Sequence, residues 1–326
     1  MLKVSVIMIT YRHEKYIEQA IQGVLMQEGN FELEFIIAND CSPDKTDLII
    51  KEIIKTHPKS SSIIYLSRDA NLGIMPNFID ASSQCNGSYI ALCEGDDYWV
   101  DKFKIQKQLD LFLSDQEIGL VYTGLKHFNQ SQNTFIDINT KHFSDKSVVI
   151  SELLKSKYIE FCTVMIEAKL FKKTLKLLHN ELLNNTIIGD TRIILECAQN
   201  SKFGFLADIT TVYRILQNSA SHPVGIDKGL LTSKDTYNCR KFFINRYSLN
   251  KKLLAVVLCN FNKGLITKAF NEKNYSNVIK LISNIKLIDY FDYCDFKTFI
   301  KKTTPTIIMK FILSILGFGI IKNIVK

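Results

Sequence analysis

The chain has 326 residues, 46% hydrophobic and 23% charged, an ordinary globular balance with room for one large α/β domain plus an appendage, or for two domains. Its net charge of +8 is unevenly placed: the stretch from Lys234 to Lys326 holds seventeen Lys/Arg against five Asp/Glu, so the remainder is slightly acidic. That split, with no nucleic-acid motif in the chain, argues against a nucleic-acid-binding protein. The eight cysteines, Cys41, Cys85, Cys93, Cys162, Cys197, Cys239, Cys259 and Cys294, form no C-x-x-C pair, which counts against a zinc or thioredoxin-like motif. Met1-Leu2-Lys3-Val4-Ser5 enters a strand directly rather than a secretory signal, so reduced thiols and a cytoplasmic location are expected.

Val4 to Ile9 is an apolar run that predicts a buried strand, followed by a loop at Thr10-Tyr11-Arg12-His13-Glu14. Ile17, Ala20, Ile21, Val24 and Leu25 recur at helical spacing and predict an amphipathic helix to about Gln27. Phe35 to Ala38 predicts a second strand, ending in the turn-rich Asn39-Asp40-Cys41-Ser42-Pro43-Asp44 before a helix carrying Leu48, Ile49, Ile53 and Ile54. Ile63 to Leu66 predicts a third strand, followed by Arg68-Asp69-Ala70-Asn71-Leu72-Gly73. A helix from about Pro76 to Gln84 then leads through Asn86-Gly87 into a fourth strand, Tyr89 to Cys93. This alternation predicts a parallel sheet with right-handed crossovers. Polar residues follow every strand, on the rim where such sheets bind nucleotides. No Gly-x-Gly-x-x-Gly or Walker lysine motif occurs, so dinucleotide and P-loop readings lose their main support.

The fourth strand runs into Glu94-Gly95-Asp96-Asp97-Tyr98-Trp99. Three carboxylates this close repel one another unless a cation or a donor-rich ligand lies among them. Hard oxygens at a strand end suit Mg²⁺ or Mn²⁺ holding a diphosphate; equally, these acids could cap the helix starting near Asp101. Further on, Phe103, Ile105, Leu109, Leu111 and Phe112 form a helix face, Gly119 to Thr123 a strand, and Lys126 to Lys146 a polar hairpin or loop. Glu160 to Ile166 predicts a strand and Lys169 to Leu178 a helix. Asp190 sits before a helix with Ile193, Ile194 and Cys197 on its apolar side; Phe203 to Leu206 and Ile209 to Ile215 predict two more strands.

Taken together, these segments resemble the family 2 glycosyltransferases of GT-A fold. Val4 to Arg12 resembles the family's strand and PTYN turn, Asn39-Asp40-Cys41-Ser42 its DDGS, and Asn71-Leu72-Gly73 its NxG. Gly87 through Trp99 resembles the family's GxYIA segment and acid cluster, with Lys104 and Gln108 in the helix after it. Gly189-Asp190 resembles the late ED pair, and Val212-Tyr213-Arg214 the YR strand. The likeness runs from residue 4 to about 222; its order and strand-end placement are more specific than any one motif. It implies an α/β fold with a Rossmann-like, mostly parallel sheet flanked by helices. The catalytic domain would span residues 1–225, a nucleotide half to about 100 and an acceptor half beyond it. The implied activity is metal-assisted, inverting transfer of a sugar from a nucleotide-sugar, most often a UDP-sugar, to a glycan or lipid-linked acceptor.

By the same resemblance, Asp40 would bind the base, Thr10 and Glu14 would lie near base and ribose, and Arg68 would touch base or phosphate. Asp96 and Asp97 would hold a Mn²⁺ or Mg²⁺ ion and the diphosphate, with Glu94 in support, and Asp190 would be the base that deprotonates the acceptor. From the residues alone, Asp190 is equally a helix cap, Asp40 a turn residue, Glu14 a helix-start acid, and Trp99 a packing residue. The chain departs from the family at Asn39, Gly189 and the position after Tyr213-Arg214 where a histidine is common. His222, a little further on, is a weaker candidate for the metal or diphosphate. Two other functional classes stay open: a nucleotidyltransferase releasing pyrophosphate, and a non-catalytic sugar-nucleotide-binding protein.

Residues 226–326 predict a basic helical extension, with apolar faces at Leu253, Val256, Val257 and Phe261, then Val278, Leu281 and Ile282. The apolar stretch from Thr306 to Ile321 is short for a spanning helix, is interrupted by Lys310, and is flanked by Lys301, Lys302, Lys322 and Lys326. It suits an in-plane anchor at an anionic leaflet, which would place the protein at the cytoplasmic face of the inner membrane, or a helix packed on protein. The sequence leaves the oligomeric state open.

Overall fold

The computed structural model describes residues 1–138, 140, 146–155, 159–184, 187–217, 219 and 226–250, together with 253 and 257. They belong to two compact units, Met1–Ile150 with Tyr158–Ser219, and Ser151–Lys157 with Ala220–Lys326.

The first unit opens with the expected alternation: β1 (Leu2–Thr10), α1 (Ile17–Leu25), β2 (Phe31–Asn39), α2 (Thr46–Thr56), β3 (Ile63–Ser67), α3 (Ile74–Ser83) and β4 (Tyr89–Leu92). β1 pairs in parallel with β2 on one side and β4 on the other, and β2 with β3. Apolar runs make these central strands because their side chains are buried on both faces. Val4, Val6 and Met8 of β1, Phe35 and Ile37 of β2, and Ala91 of β4 meet Ile17, Ile21 and Val24 of α1 and Ile50 of α2 in one core. Each such aliphatic or aromatic side chain contributes about 1.5–3 kcal/mol by leaving water.

Beyond β4 come β5 (Tyr98–Trp99), α4 (Lys104–Ser114), β6 (Ile118–Asn129), β7 (Thr134–Asp137), α5 (Lys146–Lys155), β8 (Met165–Glu167), α6 (Ala168–Leu183), α7 (Gly189–Asn200) and β9 (Lys202–Ile215). The sheet order is β3-β2-β1-β4-β8-β6-β9-β5, with β7 on β6. β8 is antiparallel to both β4 and β6, and β5 to β9. The parallel half and the mixed half therefore join at β4, whose end carries the acids. Those acids do not cap α4: β5 intervenes, and Asp101 accepts the Phe103 N–H at 2.9 Å before the helix begins.

Two strand assignments change. Of Glu160 to Ile166, only the end joins the sheet, because Phe161–Thr163 forms a 3-10 turn whose last two carbonyls are taken by side chains. Trp99 Nε1 donates to the Cys162 carbonyl, and Lys104 Nζ and Gln108 Nε2 donate to that of Thr163. The two strands expected within 203–215 are one, β9, whose register against β6 jumps from Leu206 to Ile209 at a bulge. The expected polar hairpin is β6 with β7.

In the second unit α8 (Ile226–Arg246) carries buried Cys239, Phe243 and Ile244, and Leu153 and Leu154 are buried as well. Arg240 Nε donates to the Leu153 carbonyl at 3.5 Å. No helix among the described residues is long and apolar enough to cross a membrane. Apart from Leu253 and Val257, the expected faces beyond residue 250 and the apolar 306–321 stretch lie outside the described residues.

α1 is seated directly on β5: a Cβ at Gly23 would lie 2.8 Å from the Trp99 nitrogen and 2.9 Å from its carbonyl oxygen. Alanine in a helix interior is ordinarily worth up to about 1 kcal/mol over glycine. Here both contacts are backbone atoms of a paired strand, so overpacking at about 1–3 kcal/mol wins. Gly23→Ala is expected to lower the urea midpoint of unfolding; an unchanged or raised midpoint would show that α1 can shift freely.

Candidate active site

The acid turn continues the alignment of β1 with β4. The Cys93 N–H donates to Ile7 O and that of Gly95 to Ile9 O, and the Asp97 N–H closes the turn onto Glu94 O at 3.1 Å. Gly95 presses on the loop after β1: a Cβ there would meet Thr10 Oγ1 at 2.7 Å and His13 Nδ1 at 2.9 Å. The carboxylate of Asp96 opens toward that loop, with Oδ2 3.9 Å from His13 Nε2, while Asp97 points inward and is 2% exposed.

Arg214 of β9 clamps the turn. Its backbone N–H donates to Asp97 Oδ1 at 2.8 Å, and its guanidinium donates to the Asp96 carbonyl and to Gln19 Oε1. The guanidinium lies between the rings of Tyr98, at 4.3 Å, and Tyr16, at 5.2 Å. A desolvated cation held on ring faces and carbonyls offsets part of the repulsion among the acids.

Beneath the turn, oxygens of Glu94 and Asp97 and the Cys162 sulfur lie within 4.8 Å of one another. Burial, and then the charges of Asp96 and Asp190, push the Glu94 carboxyl up to about 8. Burial and the neighbouring acids likewise raise Asp97 well above the ordinary carboxylate range. Glu94 Oε2 is a buried oxygen with no hydrogen-bond partner among the described residues. An orphaned oxygen on one of three crowded carboxylates is what a divalent cation would satisfy, so the acid turn as a whole fits one. Below this layer Lys104, fully buried, donates to Gln108 Oε1 at 2.6 Å and lies 4.4 Å above the Trp99 ring. Trp99 is thus a packing residue, and Lys104 with Gln108 supports the floor.

The candidate nucleotide residues lie at the ends of β1, β2 and β3, and they tie the rim loops together. Asp40 accepts the N–H groups of Leu72 at 2.7 Å and Gly73 at 2.9 Å, and its carbonyl accepts Asn71 Nδ2. Glu14 accepts the Lys45 N–H at 3.1 Å. Thr10 Oγ1 pairs with His13 Nδ1 at 3.1 Å. Arg68 is held by Asn77 and Asp80. Arg12 and Cys41, one in each of the first two rim loops, have φ of 61° and 56°, an arrangement that costs backbone energy and is concentrated at functional sites. The Asn39 amide is spent locally, its Nδ2 on Tyr65 Oη and its Oδ1 on Ser42.

Asp190 is the second residue of α7, and its Oδ1 accepts the Thr191 N–H at 2.7 Å. Its carboxyl is raised by burial and by the charge of Glu160, and lowered by the Thr191 hydrogen bonds and by Arg192. The charge of Asp190 is the smallest of the causes that raise Glu94, so the two carboxyls act on each other across the fold. At Gly189 the Met75 side chain takes the space a larger residue would need: a Cβ there would lie 2.1 Å from the Met75 sulfur, so the family's usual glutamate would require Met75 to move. Through Met75 the start of α7 is therefore packed against α3, which follows the loop whose Leu72 and Gly73 N–H groups Asp40 accepts.

Four participants carry no role in the sequence reading. His13 and Arg214 stand in quoted motifs, but only the fold brings them to the acids. Glu160 and His127, whose side chains lie 3.2 Å apart, stand 33 residues apart in the chain with no local spacing to signal the contact. His222 lies outside the described residues.

A carboxyl raised by folding holds its proton where the unfolded chain has lost it, so its contribution is full below the ordinary carboxylate pKa and is lost as pH rises through about 8. The metal-free protein should lose more thermal stability between pH 5 and 8 than its Glu94→Gln variant does. Parallel pH profiles for the two would contradict the assigned environment.

Residues 5–175 match the description Glycosyl transferase family 2. The chain is 25% identical over 305 residues, 91% of its length and 32% of the relative's, to the minor teichoic acid biosynthesis protein GgaB of Bacillus subtilis. It is 43% identical over 105 residues, 32% of its length and 30% of the relative's, to an uncharacterized protein of Mycobacterium tuberculosis. The chain thus spans about a third of the length of these relatives. Among solved structures, the fold is similar to S. aureus TarS 1-349 in complex with UDP-GlcNAc, with TM-score 0.50, 14% identity, and 86% and 90% of the two chains covered. It is also similar to the mannosyltransferase PcManGT of Pyrobaculum calidifontis in complex with GDP-Man and Mn²⁺, with TM-score 0.51, 13% identity, and 82% and 75% covered. With more than half of its residues matched, and with strand-end acids and fold in agreement, the chain belongs to glycosyl transferase family 2.

Proposed function

We propose that this protein is an inverting glycosyltransferase that moves a sugar from a nucleoside-diphosphate sugar to an acceptor hydroxyl. The observation that carries the reading is the acid turn at the end of β4, which holds Glu94, Asp96 and Asp97 together and leaves a buried Glu94 oxygen without a hydrogen-bond partner among the described residues. The sugar would lie in a cleft shared by that turn and Asp190 of α7, whose charge bears on Glu94.

In a single displacement, the acceptor oxygen bonds to the sugar's anomeric carbon as its proton passes to Asp190. The bond from that carbon to the diphosphate breaks, and the diphosphate keeps the electron pair. Burial keeps the Asp190 carboxylate basic for its type, which favours proton removal. A divalent cation, Mn²⁺ or Mg²⁺, held at the acid turn through Asp96, would offset the charge growing on the leaving diphosphate. Asp40, Thr10, Glu14 and Arg68 would line the base and ribose pocket, the first through the loop it orders. TarS in complex with UDP-GlcNAc and PcManGT in complex with GDP-Man and Mn²⁺ support a nucleotide-sugar donor and a metal. We favour a UDP-sugar. The likeness to a minor teichoic acid biosynthesis protein supports a growing surface glycan or lipid-linked acceptor. The basic region from residue 226 onward would keep the enzyme at the cytoplasmic face of the membrane.

Asp190→Asn keeps size and polarity but removes the base. It is expected to reduce transfer by about 10²–10⁴-fold while UDP still raises the melting temperature as in the wild type. Full activity in that variant, with any donor that wild type turns over, would refute the assignment.

A further inference from the structure

The acid turn has two faces. On the inner face, Asp97 is 2% exposed, has one oxygen committed to the Arg214 N–H, and lies against the Cys162 sulfur. A metal that presents a substrate diphosphate keeps several positions for phosphate and water, and that face leaves no opening for them. A thiol is also a soft partner for a hard cation.

On the outer face, the side chains of Asp96 and His13 are 21% and 19% exposed, so both reach solvent. Asp96 Oδ2 and His13 Nε2 stand 3.9 Å apart, too far for a hydrogen bond. Two ligands of one ion, each at about 2.1 Å, stand no more than about 4.2 Å apart. The other ring nitrogen of His13 is fixed by Thr10 Oγ1 at 3.1 Å, and its backbone N–H is held by Thr46 Oγ1 at 3.0 Å. A ring anchored through one nitrogen with the other aimed at a carboxylate is how proteins prepare a histidine ligand. The space behind the pair is closed by Gly95, which admits no Cβ against Thr10 and His13.

We propose that His13 is a protein ligand of the catalytic cation, sharing it with Asp96, and that Asp97 is a strut between the turn and β9 rather than a ligand. This rests on the reading that the acid turn holds a metal. The outer pair supplies one oxygen and one nitrogen and leaves the remaining positions for diphosphate oxygens and water. Thr10, whose Oγ1 stands 3.1 Å from His13 Nδ1, also orients the ring.

The test is Mn²⁺ binding, alone and with UDP, followed by the electron paramagnetic resonance of the free ion, with electron spin-echo modulation of the bound ion. Wild type is expected to show the modulation of a directly bound ¹⁴N. His13→Ala should lose it and bind Mn²⁺ about 10–100-fold more weakly, with an unchanged circular dichroism spectrum, and His13→Gln should lose the nitrogen signal while binding at intermediate strength. Bound Mn²⁺ without nitrogen modulation in wild type overturns the proposal without any variant, as does His13→Ala that binds like wild type. If Asp96→Asn weakens binding and His13→Ala does not, the metal reading survives and the histidine assignment falls. If neither matters, or wild type binds no Mn²⁺ in either condition, both fall.

Discussion

The fold of this chain turns on the cost of holding three carboxylates within four residues at the end of a buried strand. Such a turn is stable only if its charges are neutralised, protonated or opposed by fixed donors, and here the last two occur. Glu94 and Asp97 are driven toward their protonated forms by burial. Arg214 crosses from β9 to hold the turn's backbone. Asp96 faces the loop after β1 and keeps a path to solvent. Without a bound cation the arrangement stores repulsion that a ligand can relieve, which is a physical basis for affinity at this point of the sheet.

The surrounding layers follow from that need. The short strand β5 is present because Tyr98 and Trp99 must seat Arg214 on one side and the Cys162 carbonyl on the other. α1 is brought onto the backbone of Trp99 by a glycine, which sets how far Gln19 and Tyr16 stand from the guanidinium. The rim loops are tied to one another: Asp40 orders residues 72–73, and Glu14 and Asp44 link the loops after β1 and β2. Met75, just beyond Gly73, packs onto the start of α7. The nucleotide rim and the residue proposed as base are thereby mechanically continuous.

The parallel half of the fold was legible because its information is local: apolar runs, helical spacing and polar strand ends each sit within about ten residues. The helix start at Asp190 was legible from the local pattern and the family's order of motifs. The mixed half was harder. The turn at Phe161–Thr163 reads as strand by composition, and only the side chains of Trp99, Lys104 and Gln108, some sixty residues away, divert its carbonyls from a ladder. Arg214 reads as one residue of a strand, and its three bonds to the acid turn and α1 are purely tertiary. His13 sits in a loop quoted in full, yet its ring has meaning only once β4 is laid beside β1. Chemistry that depends on sheet order cannot be read before the order is known.

The most direct test of the shared cleft is a crystal structure with UDP and Mn²⁺ bound. The account predicts the diphosphate and its ion beside Asp96, the uracil on the rim formed by the loops after β1, β2 and β3, and the Asp190 carboxylate across the cleft with room for one sugar between. A nucleotide bound elsewhere, or Asp190 turned away from the ion with its path closed, would contradict it.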